Sequence, residues 1–144
     1  MKILFSQVFI LLLLGCHSTP LNDFRDRFAI ANAVLGDQFE IYYVPSNGTI
    51  ADNAYIKLSS PQDPSADARR LAHLMAEGES KATRLAASSP ANKKMAAIIT
   101  QAAYLNQNKT LSHLQLLYIG SKNHEPNLRA AIERLGATFY FERY

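Results

Sequence analysis

The sequence predicts an α+β domain: a two-layer sandwich with a four-stranded mixed sheet and about four helices, in the order α-β-β-α-α-β-α-β. Three observations carry this. Phe24, Phe28, Ala31 and Leu35 recur at helical spacing. Asp63-Pro64 and Ser89-Pro90 are helix starts, because proline lacks only an N–H that the first helical turn leaves unused. Leu114 to Ile119 is almost continuously apolar, as a strand buried on both faces must be.

Asn22 or Asp23 caps the first helix, and Gly36 stops it. Phe39 to Val44 is aromatic and β-branched and reads as a strand, with Phe39, Ile41 and Tyr43 on one face. Pro45-Ser46-Asn47-Gly48 is a turn signal. Ala54 to Leu58 reads as a second strand, with Ala54, Ile56 and Leu58 inward and Tyr55 and Lys57 outward. These two strands are expected to pair as an antiparallel hairpin.

From Asp63 onward, Ala68, Leu71, Met75, Gly78, Ala82 and Leu85 form a narrow apolar helical stripe. The helix restarted at Ser89-Pro90 buries Met95, Ile98, Ile99, Ala102 and Leu105. The two form an αα-hairpin, or one long helix kinked near Pro90. After the central strand, Pro126 opens a short helix with Leu128, Ala131, Ile132 and Leu135 inward, stopped by Gly136. Ala137 to Glu142 is the last strand, with Phe139 and Phe141 on one side and Thr138 and Tyr140 on the other. A right-handed crossover through that helix makes the last two strands parallel.

The amino-terminal stretch follows different rules. Lys2 precedes an apolar run whose core, Val8 to Leu14, is far shorter than the about 20 residues a spanning helix needs. It fits the apolar region of a secretory signal. The run ends in Leu13-Leu14-Gly15-Cys16, which resembles a bacterial lipobox. The resemblance implies a covalent lipid on Cys16, diacylglycerol on the thiol and an acyl chain on the new amino terminus. It implies no other cofactor. The organisation is then residues 1–15 as lipoprotein signal peptide, 16–22 as acylated tether and 23–144 as a single α+β periplasmic domain. Several acyl chains on one cysteine hold a protein to a membrane stably, where one alone binds reversibly. The residue after the cysteine is His17 rather than the Asp that retains such proteins in the inner membrane. The resemblance therefore implies the outer membrane, facing the periplasm.

Composition narrows the chemistry. The formal charge is +3 from 15 basic and 12 acidic side chains, and the only basic doublets are Arg69-Arg70 and Lys93-Lys94. Nucleic-acid surfaces concentrate their cations in one stripe, so that class is excluded. Cys16 is the only cysteine and the lipid occupies it, which removes thiol catalysis and disulfides. His17, His73, His113 and His124 have no metal-site spacing, and no Gly-x-Ser-x-Gly elbow occurs. Glu77 and Glu79 do not share a helix face. Asn47-Gly48-Thr49 and Asn108-Lys109-Thr110 match the glycosylation sequon but read as ordinary turn pairs. No catalytic or metal-binding residue is therefore expected; a hydrolase would need residues converging from distant parts of the chain.

Binding surfaces are expected at the exposed aromatics Tyr42, Tyr55, Tyr140 and Tyr144, since tyrosine gives large contact area at small entropic cost. If the strand within Phe139 to Tyr144 is an edge, it is placed to accept a partner strand. Arg129 is a further candidate. The strand-loop-helix-strand layout from Leu114 to Phe141 is similar to the C-terminal half of an OmpA-like peptidoglycan-binding domain. That similarity implies Arg129 on a diaminopimelate carboxylate, but the loop Gly120 to Glu125 lacks the Asp of that family's motif. The expected function is a lipid-anchored envelope lipoprotein acting as a non-enzymatic binding or assembly module. A pilotin, or an accessory component of a secretion, pilus or conjugation system, is of this type. An immunity or exclusion lipoprotein, blocking a toxin, phage or conjugation apparatus, is the alternative, and peptidoglycan binding a further one. The partners are the membrane, through the lipid, and an envelope protein.

Overall fold

A computed structural model describes residues 20–144. The signal peptide and Cys16 lie outside the described residues. The elements are α1 (Pro20–Leu35), β1 (Glu40–Tyr43), α2 (Thr49–Lys57), α3 (Ala66–Ala76), β2 (Thr83–Ser88), α4 (Asn92–Leu105), β3 (Leu114–Gly120), α5 (Glu125–Glu133) and β4 (Thr138–Arg143). Short 3-10 turns at Glu77–Glu79 and Lys122–His124 follow α3 and precede α5.

The four strands form one sheet in the order β1-β2-β3-β4, and every neighbouring pair is parallel. The α+β expectation holds at the level of helices packed on one four-stranded sheet, but the sheet is not mixed. Parallel neighbours require a crossover between each pair. Right-handed crossovers that always step the same way put all their helices on one face. The packing agrees: α3, α4 and α5 bury Leu71, Met75, Ile98, Ile99, Leu128 and Ile132 against Leu85, Ala87, Leu116, Tyr118 and Phe139. The opposite face would be bare without α1, which is not a crossover. Its Ala31 and Leu35 cover Ala86, Leu117 and Ile119. The sheet therefore has helices on both faces.

The structure departs from the sequence reading at three points. Ala54 to Leu58 is not a strand but falls in and just after α2, so there is no antiparallel hairpin. Leu58, expected inward, is exposed. The stripe that ran from Ala68 to Leu85 is broken after Ala76, and Thr83–Ser88 becomes β2, so the αα-hairpin is interrupted by a strand. Local propensity favours helix for Leu85-Ala86-Ala87, but a slot between β1 and β3 with helices on both sides overrides it. The small side chains Ala86 and Ala87 are fully buried, where neighbouring helices come close.

β3 and the helix-stopping glycines stand as expected, whereas Leu105, expected to be buried on α4, is exposed. β3 is a central strand with Leu114, Leu116, Leu117, Tyr118 and Ile119 fully buried. Gly36 and Gly136, each at φ 81, follow α1 and the turn after α5 in the left-handed conformation that stops a helix. The first helix begins at Pro20, ahead of the capping positions Asn22 and Asp23.

Candidate functional site

In a parallel sheet all carboxyl ends lie along one edge, the edge where open α/β sheets place their ligands. Here that edge carries two buried ionic centres, one on each face of the sheet. Neither involves a residue expected to act from the sequence, apart from the tyrosines Tyr55 and Tyr144.

The first centre is built on α1. Arg27 is 4% exposed, yet it lies on the helix face that also carries Phe24, Phe28 and Ala31. Its Nε donates to Asp23 Oδ2 at 2.9 Å, and its Nη1 donates to Ser88 Oγ at 2.6 Å and to the Ile119 carbonyl at 3.3 Å. Ser88 Oγ donates to the same carbonyl. Tyr43 Oη donates to Asp23 Oδ2 at 2.7 Å. The guanidinium also lies 4.2 Å from the centre of the Tyr144 ring, whose hydroxyl donates to Asp26. One side chain thus joins α1 to the ends of β2 and β3 and to the last residue of the chain. Burial pushes the Asp23 carboxyl up, but hydrogen bonds from Arg27 and Tyr43 outweigh it and hold the pKa below the ordinary value. Burial and the bond to Asp23 push Tyr43 up to about 12.

The second centre lies under α2 and α4. Lys94 is 2% exposed and its Nζ sits 3.2 Å from Asp52 Oδ1, also buried. Nζ also donates to the Pro45 carbonyl and lies 4.7 Å from the centre of the Tyr55 ring. Asp52 accepts from the Ser46 hydroxyl and from Asn47 N–H. Gly48 gives α2 no side-chain cap, so Asp52 folds the preceding loop back onto the helix instead. Burial again opposes the charged carboxylate; the bonds from Ser46, Asn47 and Lys94 win and lower its pKa. Beside this pair is an open cavity of about 250 Å³ lined in part by Ser46, Thr49, Asn53, Pro90 and Asn92.

These centres hold the edge together rather than leaving reactive groups free. A general base working near neutral pH needs its carboxyl pKa raised, and Asp23 and Asp52 are both shifted the other way. Among the described residues, every buried side-chain polar atom has a hydrogen-bond partner. Among them, too, no group of three His, Cys, Asp or Glu is placed to hold a metal. The strand order never reverses, so the sheet lacks the switch point at which such folds open a ligand crevice. A groove of about 350 Å³ lies on the outer helices between Ile56, Ser59, Thr100, Gln101, His124 and Leu128.

The expected binding tyrosines divide into two pairs. Tyr42 and Tyr55, expected to be exposed, are half-buried, and both hydroxyls donate to the Asp67 carboxylate, at 3.2 and 2.8 Å. They brace β1 and α2 against α3. Their outward placement assumed a hairpin with one bare face, and the helix layer covers that face. Tyr140 and Tyr144 are exposed, at 37% and 44%. Tyr140 stands on the α1 face of β4, an edge strand. Arg129 pairs with Glu125 at 3.0 Å and Glu133 at 3.2 Å, donates to the Phe139 carbonyl and lies over the Phe139 ring. Both acids compete with a cell-wall carboxylate for its charge. Cys16 lies outside the described residues.

Arg27 and Lys94 had a signal in the sequence. Arg27 is three residues after Phe24 and four before Ala31, and Lys94 is four before Ile98. A cation on an apolar helical face must find a buried partner. Comparison of the chain with protein-family models, with curated proteins and with solved structures finds no match.

Proposed function

We propose that this protein is a lipid-anchored envelope protein whose small periplasmic domain is a non-enzymatic binding or assembly module, of the pilotin or secretion-accessory type. The observation that carries this is the lipobox-like Leu13-Leu14-Gly15-Cys16, which ends four residues before α1 begins at Pro20. A lipid on Cys16 would hold the domain close against the membrane rather than on a stalk. No helix among the described residues is long and apolar enough to cross a membrane, so the lipid would be the domain's tie to it.

Two features support binding over catalysis. The ionic centres at the carboxyl edge are paired and their carboxylates are held charged. The edge strand β4 presents Tyr140 beside an unpaired strand flank, which suits addition of a partner strand. The test is site-specific photocrosslinking in cells, with the reactive group at Tyr140 and, as control, at His73 on the exposed side of α3. A discrete envelope-protein adduct from position 140, absent from position 73, is expected. Equal or absent adducts at both positions contradict a module that binds through β4.

A further inference from the structure

Residues Asp23 and Arg27, near the start of α1, are bonded to Tyr43, Ser88 and the Ile119 carbonyl, all at the carboxyl ends of their strands. At the other end of α1, the Leu35 carbonyl accepts from Arg84, near the start of β2. The helix therefore runs antiparallel to the sheet, and its amino terminus stands at the carboxyl edge. Pro20, the first residue of α1, is four residues from Cys16. Whatever path those residues take, they reach at most about 14 Å. A lipid on Cys16 fixes which end of the domain meets the bilayer.

The side chains at that end suit a membrane surface. Leu21, on α1, is 58% exposed, and Ile50, in the first turn of α2 on the other face of the sheet, is 88% exposed. At the same end Lys93 in the first turn of α4, Lys122 in the turn after β3 and Arg143 at the end of β4 are exposed cations. The exposed acids of this end, Asp26 and Glu142, lie on the α1 side, where Asp26 accepts from Tyr144. The opposite, amino edge includes the loop from Asn106 to His113 between α4 and β3.

We propose that the carboxyl edge of the sheet is the membrane-facing surface of the lipidated protein. Leu21 and Ile50 seat at headgroup depth on either side of the sheet, and Lys93, Lys122 and Arg143 face anionic lipid phosphates. Charges held within about a Debye length of an anionic surface are attracted to it, and exposed aliphatic side chains add apolar burial. The edge strand β4 then stands roughly upright on the membrane, open to a partner approaching from the side. The inference rests on the lipid anchor proposed above.

Because Cys16 is the only cysteine and carries the lipid in that reading, an introduced cysteine is the only free thiol. Ile50→Cys and, separately, Lys109→Cys in the lipidated full chain are labelled with a fluorophore. Each is reconstituted into vesicles of phosphatidylethanolamine and phosphatidylglycerol containing brominated lipid. Strong quenching is expected at position 50 and little at position 109. Lys93→Glu with Lys122→Glu should reduce the quenching at 50 several-fold. Equal quenching at both positions, or quenching only at 109, overturns the orientation while the anchor stands. Failure of the chain to float with the vesicles overturns the anchor, and the orientation with it.

Discussion

Arg27 Nη1 donates to Ser88 Oγ at 2.6 Å across 61 residues of sequence, and this bond docks the first helix onto the end of the central sheet. Without α1, the buried residues Ala86, Leu117 and Ile119 would face water. Arg27→Ala removes the bond and leaves Asp23 without its cation. Breaking a buried ion pair from one side costs about 3–5 kcal/mol. Asp23 keeps some access to water, so the lower end applies here. Urea denaturation should show a loss of about 3 kcal/mol, and hydrogen exchange should show α1 losing protection before β3. A loss under about 1 kcal/mol would mean that α1 is held by its apolar face alone.

Lys94 and Asp52 make a pair whose members depend on each other. Lys94→Met alone leaves a buried carboxylate unpaired and should cost about 3–5 kcal/mol. Adding Asp52→Asn to that variant should recover most of the loss, because no net charge then remains buried. A double-mutant cycle measures this. Additive losses would show that the two side chains act independently.

Acid should release both centres. The Asp23 and Asp52 pKa values are lowered by folding, so the native state binds fewer protons than the unfolded chain in acid. Their contribution is full above the ordinary carboxylate value of about 4 and is lost as pH falls through the lowered native values. Stability measured against pH should fall in that window. Asp23→Asn and Asp52→Asn should each flatten the slope while lowering stability at pH 7. An unchanged slope in both variants would contradict the assignment.

The tyrosines should separate by role. Tyr42→Phe and Tyr55→Phe each lose a hydrogen bond to Asp67 and should cost about 0.5–1.5 kcal/mol each, with no effect on crosslinking through β4. Tyr140→Ala should leave the denaturation midpoint nearly unchanged and abolish the adduct from a reactive group placed instead at Glu142, on the same face of β4. Loss of crosslinking in Tyr55→Phe with the fold intact would instead place the partner on α2.

What the sequence disclosed follows from where information is local. β3 was legible because a strand buried on both faces has a continuous apolar run, and α5 because Pro126 and Gly136 bracket it. β2 was not legible. Thr83–Ser88 is dominated by small residues and owes its extended form to neighbours far along the chain. Reading Ala54 to Leu58 as a strand made a hairpin of β1, and missing β2 hid the parallel order and its carboxyl edge, so no residue at that edge could be grouped with another. Arg27 and Lys94 were visible as cations on apolar faces, but their partners Ser88 and Asp52 lie 61 and 42 residues away. Asp67 escaped notice as the acceptor that turns Tyr42 and Tyr55 into braces.

The lipid on Cys16 decides the rest. Intact-mass and amino-terminal peptide mass spectrometry of the mature protein from membranes tests it directly. A chain beginning at Cys16, carrying the mass of a diacylglycerol and an N-acyl group and lost from the membrane fraction in Cys16→Ser, is the predicted result. A mature chain beginning elsewhere, or a Cys16 with a free thiol, would contradict the anchor and the orientation built on it.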